Sequence, residues 1–441
     1  MPEHGKNSGS TVHRRRYLQA LGTGAVAAFA GCADTSDPDT SGGGGGGGNG
    51  NNGGTQGGTQ SSGEDMSFKV GVITSQSGSY SFLGKGEVQG AKLAKADLEE
   101  EYGVDIELVT ADTETDPGTG LERMKRLVNE DQVDFTLGGV SSSVAIKMGN
   151  WASDNGVAYM AAGSHSDATT GGKCAANMFR PTCSNSMLAN ALGTQMADYA
   201  DSWFVMFADY TWGQTGAKAI KGALKANGAE IKGEVGTPFP SQDYTQYLNE
   251  AANSGADGLA VVIAGTDQRI VTKQFLNKGL DQDMKMAGPL FEESVFWGIG
   301  KEAASAAGLW ATPWAASSPA TDLGESVKQR VASEFGASPF SRHFMGYTSM
   351  DQLTRAAIRA GSKDAADIRG ELEGHELEHK LKQGKMYFRA DDHQLIQPVS
   401  TVEAKAQSNM QDDPYKSWFE HTSKTAGDEV ARDPSETGCS L

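Results

Sequence analysis

The chain has 441 residues, enough for two or three domains, and a net charge of -18 that excludes the basic face a nucleic-acid partner would need. No internal apolar run is long enough to form a membrane-spanning helix. Only 4 cysteines are present, so each is read in its own context.

The first 32 residues read as an address. In "HRRRYLQALGTGAVAAFAGC" (His13 to Cys32), three arginines precede a short, weakly apolar stretch and then small residues. This is a secretory signal layout. The Arg-Arg-x-Tyr-Leu order resembles a twin-arginine signal. "FAGC" resembles a lipobox, which makes Cys32 the expected site of lipidation. Ala33 to Asp65 follows, with seven consecutive glycines from Gly42 to Gly48 and no apolar period. It reads as a disordered tether reaching roughly 30 Å on average. The expected location is the outer face of the cell membrane, with the membrane reached through the lipid anchor.

From Ser67 the pattern alternates. "FKVGVIT" (Phe68 to Thr74) reads as a buried strand and Gly84 to Tyr102 as a helix. "IELVT", "VDFTLGG" and "VAYMAA" are further strands, each separated from the next by apolar residues at helical spacing. The pattern then restarts. "SWFVMFA", "AEIKGEV", "GLAVVIA", "MKMAGP" and "GLWATP" are strands, with helices at 213–227, 244–253 and 268–278. Strands alternating with helices predict right-handed βαβ units and parallel sheets. The fold class expected is therefore α/β, with two doubly wound parallel-sheet lobes. Pro- and polar-rich stretches near Phe179–Met187, Thr312–Ala320 and Lys382–Phe388 read as three crossings that form a hinge. The expected organisation assigns 66–185 and 314–384 to the first lobe and 186–313 and 385–407 to the second. Residues 408–441 remain as a C-terminal tail. Ligands of open α/β sheets bind beyond the carboxyl ends of the strands, so one cleft between the lobes is expected.

Five stretches in this order carry a family resemblance: "KVGVITSQSGSYSFLGKGEVQGAKLA", "LVTADTETDPGTG", "GGVSSSVA", "FADYTWGQTGAKAI" and "MYFRADDHQLIQPV". From about Phe68 to Glu403 the chain resembles the branched-chain-amino-acid type of ABC-transporter substrate-binding protein, a periplasmic binding protein of type I. The resemblance implies a monomer that captures a small polar solute and delivers it to permease and ATPase subunits. A branched-chain or other amino acid, an amide, a urea-like molecule or a carboxylate all fit. A sensory receptor of the same fold is the alternative.

The resemblance implies that Ser141 receives the ligand's carboxylate, with Ser142 beside it. The chemistry supports this directly. A helix N-terminus offers free N–H groups and partial positive charge, and a serine hydroxyl adds a neutral donor. A plain helix cap is the simpler reading of any one of these serines. Ala162 and Ser164 match further ligand contacts, while His165 reads as a loop histidine. In the second lobe Trp212 matches an aromatic that closes over the ligand, with Tyr210 as a second candidate. Tyr80, Phe82 and Leu83 would supply the side-chain pocket, with Phe291 and Phe296 as further lining. Glu87 is expected to face solvent.

One departure from the family pattern concerns the ammonium partner. Thr266 and Asp267 stand where an aromatic is usual, and Leu290 stands where an acid is usual. The partner is then Asp267 or Glu292, or is missing; a zwitterionic amino acid needs one, since an unpaired buried charge is costly, so the departure leaves amides, urea-like molecules or carboxylates open.

In an exported protein Cys174 and Cys183 are expected to pair, and Cys439 to have no structural role. No catalytic triad, metal-ligand spacing or phosphate loop supports an enzyme, and no metal or cofactor is expected. "HELEH" (His375 to His379) reads as a solvated helix end or loop, and "DDHQ" (Asp391 to Gln394) as structural.

Overall fold

A computed structural model describes residues 66–441. The signal, Cys32 and the glycine-rich tether lie outside the described residues.

The first lobe opens with β1 (Ser67–Thr74), α1 (Ser81–Tyr102), β2 (Asp105–Asp112), α2 (Pro117–Asn129), β3 (Phe135–Gly138), α3 (Ser142–Asp154), β4 (Ala158–Ala161) and β5 (Met178–Phe179). The chain then builds the second lobe from α4 (Asn185–Tyr199), β6 (Ser202–Ala208), α5 (Thr211–Ala226), β7 (Glu230–Thr237), α6 (Thr245–Asn253) and β8 (Gly258–Val262). This lobe continues with α7 (Gly265–Asn277), β9 (Lys285–Gly288), α8 (Glu293–Trp297), α9 (Lys301–Ser305) and β10 (Leu309–Thr312). It returns to the first lobe for α10 (Asp322–Phe335), α11 (Ser341–Ala360), α12 (Ala365–Leu372), β11 (Tyr387–Phe388) and β12 (Leu395–Ile396). It ends in the second with β13 (Val399–Ala404), β14 (Phe419–Thr425) and α13 (Gly427–Val430).

The first sheet has the order β2-β1-β3-β4-β5 and is wholly parallel. The second has the order β14-β13-β10-β9-β8-β6-β7, parallel from β10 to β7 and antiparallel at β13 and β14. Helices cover these sheets, as parallel sheets require. The loops and helix starts after β1, β3, β4, β6, β8 and β9 carry the expected site residues.

Three expectations are corrected. The third crossing lies later than Lys382–Phe388. Met386, Phe388 and Leu395 belong to the core of the first lobe, and Phe388 packs edge-on to Phe179 at 5.5 Å. The chain therefore passes to the second lobe only just before β13.

The segment after Gln407 is also built into the body. β14 extends the second sheet by pairing with β13, and Asn190 Nδ2 donates to the Val430 carbonyl at 2.9 Å. Arg389 then donates to the Arg432 carbonyl at 2.8 Å, back on the first lobe.

The third correction is the disulfide. Cys174 bonds Cys439, 265 residues away, and Cys183 is buried and free. Cys183 sits in the first crossing, where its carbonyl accepts from His165 and burial pushes its thiol up to about 11. Cys174 lies on the loop between β4 and β5, against the incoming tail. Cys439 therefore has a structural role: it closes a strap from the second sheet's edge to a first-lobe loop.

The crossings are zipped together by buried side chains. Lys382 Nζ donates to the carbonyls of Pro313 (2.6 Å) and Pro398 (2.5 Å). Gln394 Nε2 donates to the Thr182 carbonyl at 2.7 Å, and Gln397 Nε2 to that of Pro181 at 2.8 Å. The "DDHQ" stretch is part of this frame. Asp392 pairs with Arg389, and His393 stacks on Phe179 with ring centroids 3.9 Å apart. "HELEH" lies in turns after α12, so its two histidines do not share a helix face.

Candidate ligand cleft between the lobes

The turn from β3 to α3 requires its two glycines. Gly138 and Gly139 have φ of +127° and +84°, and a Cβ on Gly138 would stand 2.2 Å from the Ile73 carbonyl oxygen. Only glycine fits such a turn without strain. It delivers three serines to the seam between the lobes, and each does something different. Ser141 is the N-cap of α3, yet its side chain makes no capping bond. Ser142 Oγ accepts from the Ser166 N–H at 3.2 Å and ties the turn after β3 to the turn after β4. Ser143 Oγ donates to Thr211 Oγ1 at 3.2 Å, across to the second lobe.

In the turn after β4, the groups expected to meet a ligand are occupied within the first lobe. The Ala162 N–H donates to the Gly138 carbonyl at 3.0 Å, and Ser164 Oγ lies 2.6 Å from Thr169 Oγ1. His165 is a loop residue but fully buried. Its Nδ1 is 2.8 Å from the Cys183 carbonyl, which can only accept, so Nδ1 carries the proton. Burial holds its pKa well below the usual histidine range and keeps the ring neutral. Its Nε2 has no hydrogen-bond partner among the described residues.

Tyr210 caps α5, and its hydroxyl meets that of Tyr80 at 2.7 Å, joining the lobes. Phe239 stacks on both rings, at 5.0 Å from Tyr80 and 5.1 Å from Tyr210. Trp212 is buried in the first turn of α5, with Nε1 unpartnered among the described residues. It shares one apolar cluster with Leu83 and Val140 of the first lobe and Leu290 of the second. Thr266 Oγ1 donates to the Ser79 carbonyl at 3.2 Å, again between lobes. Phe82 takes the Arg269 guanidinium over its ring at 3.9 Å. Phe291 and Phe296 do not line the seam; they pack on Phe419 in the core of the second lobe.

The acids behave differently from expectation. Asp267 Oδ1 accepts from the Ser241 N–H and the Tyr244 hydroxyl, both at 2.7 Å, within its own lobe. Burial raises its pKa. Glu292 is fully buried and answered from the first lobe: Ser341 Oγ donates to Oε2 at 2.6 Å, and Arg342 Nε to Oε1 at 2.7 Å.

Glu87 does not face solvent. It is 0% exposed, accepting from Thr74 Oγ1 at 2.5 Å and Arg342 Nη1 at 3.1 Å. The cause is the small-residue face of α1. A Cβ on Gly84 would meet the Ser75 carbonyl oxygen at 1.9 Å, and one on Gly90 the His343 carbonyl oxygen at 2.2 Å. The strand and α11 therefore close over α1 and bury its polar residues with it. Burial raises the Glu87 pKa against the pull of Arg342.

Arg342, absent from the sequence-derived set, is the centre of this cluster. Phe340 N–H donates to His343 Nδ1 at 3.2 Å, which fixes the start of α11 and places Arg342 in its first turn. It is the one signal the sequence held: a cation at the head of a helix that is buried from Ser341 to Ile358.

Glu293 gives a pH-dependent expectation. It is buried, accepts from the Ala316 N–H at 3.0 Å, and is pushed up to about 8 by burial. The unfolded chain loses this proton near 4.5 while the folded chain keeps it. The folded state thus holds more protons in that window, and stability falls as pH rises from about 4.5 to about 8. Glu293→Gln should remove this slope, so the Tm gap between variant and parent widens across the window. A constant gap would show that the carboxyl does not titrate there.

The comparisons with known proteins agree with this architecture. The family model of the periplasmic binding proteins matches residues 67–409. A Leu/Ile/Val-binding protein homolog 2 of Brucella abortus (strain 2308) is 24% identical over 304 residues, covering 68% of this chain and 80% of that protein. A periplasmic binding protein of Burkholderia mallei superposes with a TM-score of 0.78 at 25% identity, over 85% of this chain and 99% of the other. A solute binding protein of an ABC transporter from Rhodopseudomonas palustris BisB5, solved with 3,4-dihydroxybenzoic acid, gives 0.73 at 20%, over 84% and 99%. With the match spanning both lobes and their crossings, the chain belongs to the periplasmic binding protein family, whose members work outside the cytoplasm.

Proposed function

We propose that this protein is the solute receptor of an ABC importer, taking a small polar solute into the seam between its lobes and passing it to permease and ATPase subunits. The uncommitted Ser141 hydroxyl carries this reading. It stands at the N-terminus of a 13-residue helix, at the lobe seam, with no capping bond of its own. Donors of this kind suit the carboxylate or carbonyl end of a solute. Ser142 contributes by holding the turn. Trp212, Leu83, Tyr210 and Thr266 form walls and lobe contacts around it. Ala162 and Ser164 support that turn through groups spent inside the lobe. The apolar wall suits the body of a branched-chain or aromatic solute, in keeping with the Leu/Ile/Val name of the relative and the aromatic acid in the R. palustris neighbour.

The N-terminal sequence supports export through a twin-arginine signal and lipid attachment at Cys32. The glycine-rich tether would then leave a monomeric body free to turn at the outer membrane face. One acyl chain gives marginal attachment, so stable anchoring needs further chains on the same cysteine.

The test is mass spectrometry of solute released from the purified protein, followed by calorimetry with the compound found. Ser141→Ala should weaken binding by about 1–3 kcal/mol, the cost of removing a donor from a charged acceptor. Lost stability with unchanged affinity would make Ser141 only a helix cap.

A further inference from the structure

We propose that the two lobes close with the uptake of a proton, carried by the buried carboxyl of Glu293, so that the cleft holds its solute more tightly as pH falls. The proposal rests on the reading of the seam as a solute site.

Charge balance across the seam points this way. The first lobe brings a matched pair to the contact: Arg342 Nη1 donates to Glu87 Oε1 at 3.1 Å, and Thr74 Oγ1 donates to Glu87 Oε2 at 2.5 Å. The second lobe brings three buried carboxyls, Asp267, Glu292 and Glu293. Glu292 takes Arg342 Nη2 at 2.5 Å and Ser341 Oγ at 2.6 Å. Asp267 takes the Ser241 N–H and the Tyr244 hydroxyl, both neutral donors. Closure therefore sets four buried carboxyls against one guanidinium.

Glu293 is the carboxyl that closure leaves short, at 4% exposure. Its Oε1 accepts from the Ala316 N–H of the second crossing at 3.0 Å, and the Ser341 N–H of α11 faces it from the first lobe. Its Oε2 has no hydrogen-bond partner among the described residues. The charged groups of the neighbouring elements are engaged elsewhere. Arg342 is divided between Glu87 of α1 and Glu292. Lys328 of α10 reaches the same crossing, but its Nζ is spent on the Ala316 carbonyl at 2.9 Å and on Glu325 at 2.7 Å. His165 is held neutral by burial and adds no charge. A carboxylate buried without a partner is strongly unfavourable, and a proton removes most of that cost.

Burial pushes Glu293 up to about 8, and Glu292 beside it pushes the same way. Parting the lobes withdraws Ser341 and Arg342 and admits water, which returns Glu293 toward its ordinary value of 4.5. Between these two values the shut form holds a proton that the open form has lost. Closure is then favoured as pH falls from about 8 and disfavoured as it rises, and one proton changes solute affinity by at most about tenfold per pH unit. Glu87 adds to the trend. Burial raises its pKa against the pull of Arg342, and Glu292, which arrives only on closure, raises it further.

The test is calorimetry on the purified protein with leucine and benzoate as probes, in Tris and in PIPES, whose different ionisation enthalpies reveal proton exchange. A probe that binds at about pH 7 should do so with uptake of up to about one proton, and its affinity should fall as pH is raised to about 8.5. Glu293→Gln should abolish the uptake and flatten the affinity profile. A purely structural role would change stability and leave proton exchange as in the parent, which overturns the proposal. Proton release on binding also overturns it, because the solute then supplies the missing cation. X-ray scattering of the solute-free parent gives an independent reading. Its radius of gyration should shrink between about pH 8.5 and about pH 5.5, and a constant radius overturns the proposal. Scattering decides the matter should the variant fail to fold or neither probe bind. A protein that neither releases nor binds any solute removes the receptor function, whatever its proton balance.

Discussion

Arg180→Met should destabilise the protein by roughly 3–5 kcal/mol, because several buried acceptors each lose a donor at about 1–3 kcal/mol. Arg180 lies in the first crossing and is 1% exposed. Its Nε donates to Gln394 Oε1 at 2.6 Å and its Nη2 to Thr170 Oγ1 at 2.5 Å. Its Nη1 donates to the Ser166 carbonyl, with the Ser164 carbonyl at 3.5 Å. Methionine fills the volume but leaves these acceptors buried without a donor, and each such loss is costly. Burial lowers the Arg180 pKa to about 10, against the pull of Asp167 and Asp392. Its charge is therefore held at some expense, and the hydrogen-bond fork is what the site needs. Arg180→Lys should recover only part of the loss, because an ammonium cannot reproduce the planar fork. Urea unfolding of the three proteins measures this. A loss below about 1 kcal/mol for Arg180→Met would mean the neighbours rearrange to satisfy one another.

Cys439→Ser should cost about 2–5 kcal/mol, the usual range for removing a native disulfide. The bond closes a loop of 265 residues, so it restricts the unfolded chain strongly. Thermal unfolding with and without reductant is the measurement. Reductant should lower the Tm of the parent toward that of Cys439→Ser and leave the variant unchanged. A parent insensitive to reductant would remove the bond from the account of stability.

Local pattern made the sheets legible. β1, β6 and β8 are buried along almost their whole length and read as continuous apolar runs. The turn of Gly138 to Ser141 was legible for a related reason, since glycine pairs followed by cap residues mark a strand-to-helix corner. What stayed hidden depends on residues far apart in the chain. Arg342 and Glu87 are separated by 255 positions, and neither has a local feature that names the other. Helix α11 shows no polar face, because α1, the first sheet and α12 surround it. Cys174 and Cys183 are close in sequence, which favoured pairing them, but the tail that brings Cys439 to Cys174 has little apolar period. Its course is set by strand pairing at β14 and by single hydrogen bonds.

The contacts between Tyr80 and Tyr210, Ser143 and Thr211, and Glu292 and Arg342 exist only while the lobes are together. Each therefore shifts the balance between the open and shut forms without any help from a solute. For a receptor of this build, observed affinity is the intrinsic affinity scaled by the fraction of molecules already shut. Groups that only hold the lobes together thus help set how tightly it is held, and weakening Ser143–Thr211 would loosen every solute by the same factor. Discrimination would be untouched. The contacts between the lobes govern strength, and choice is left to the groups that touch the solute.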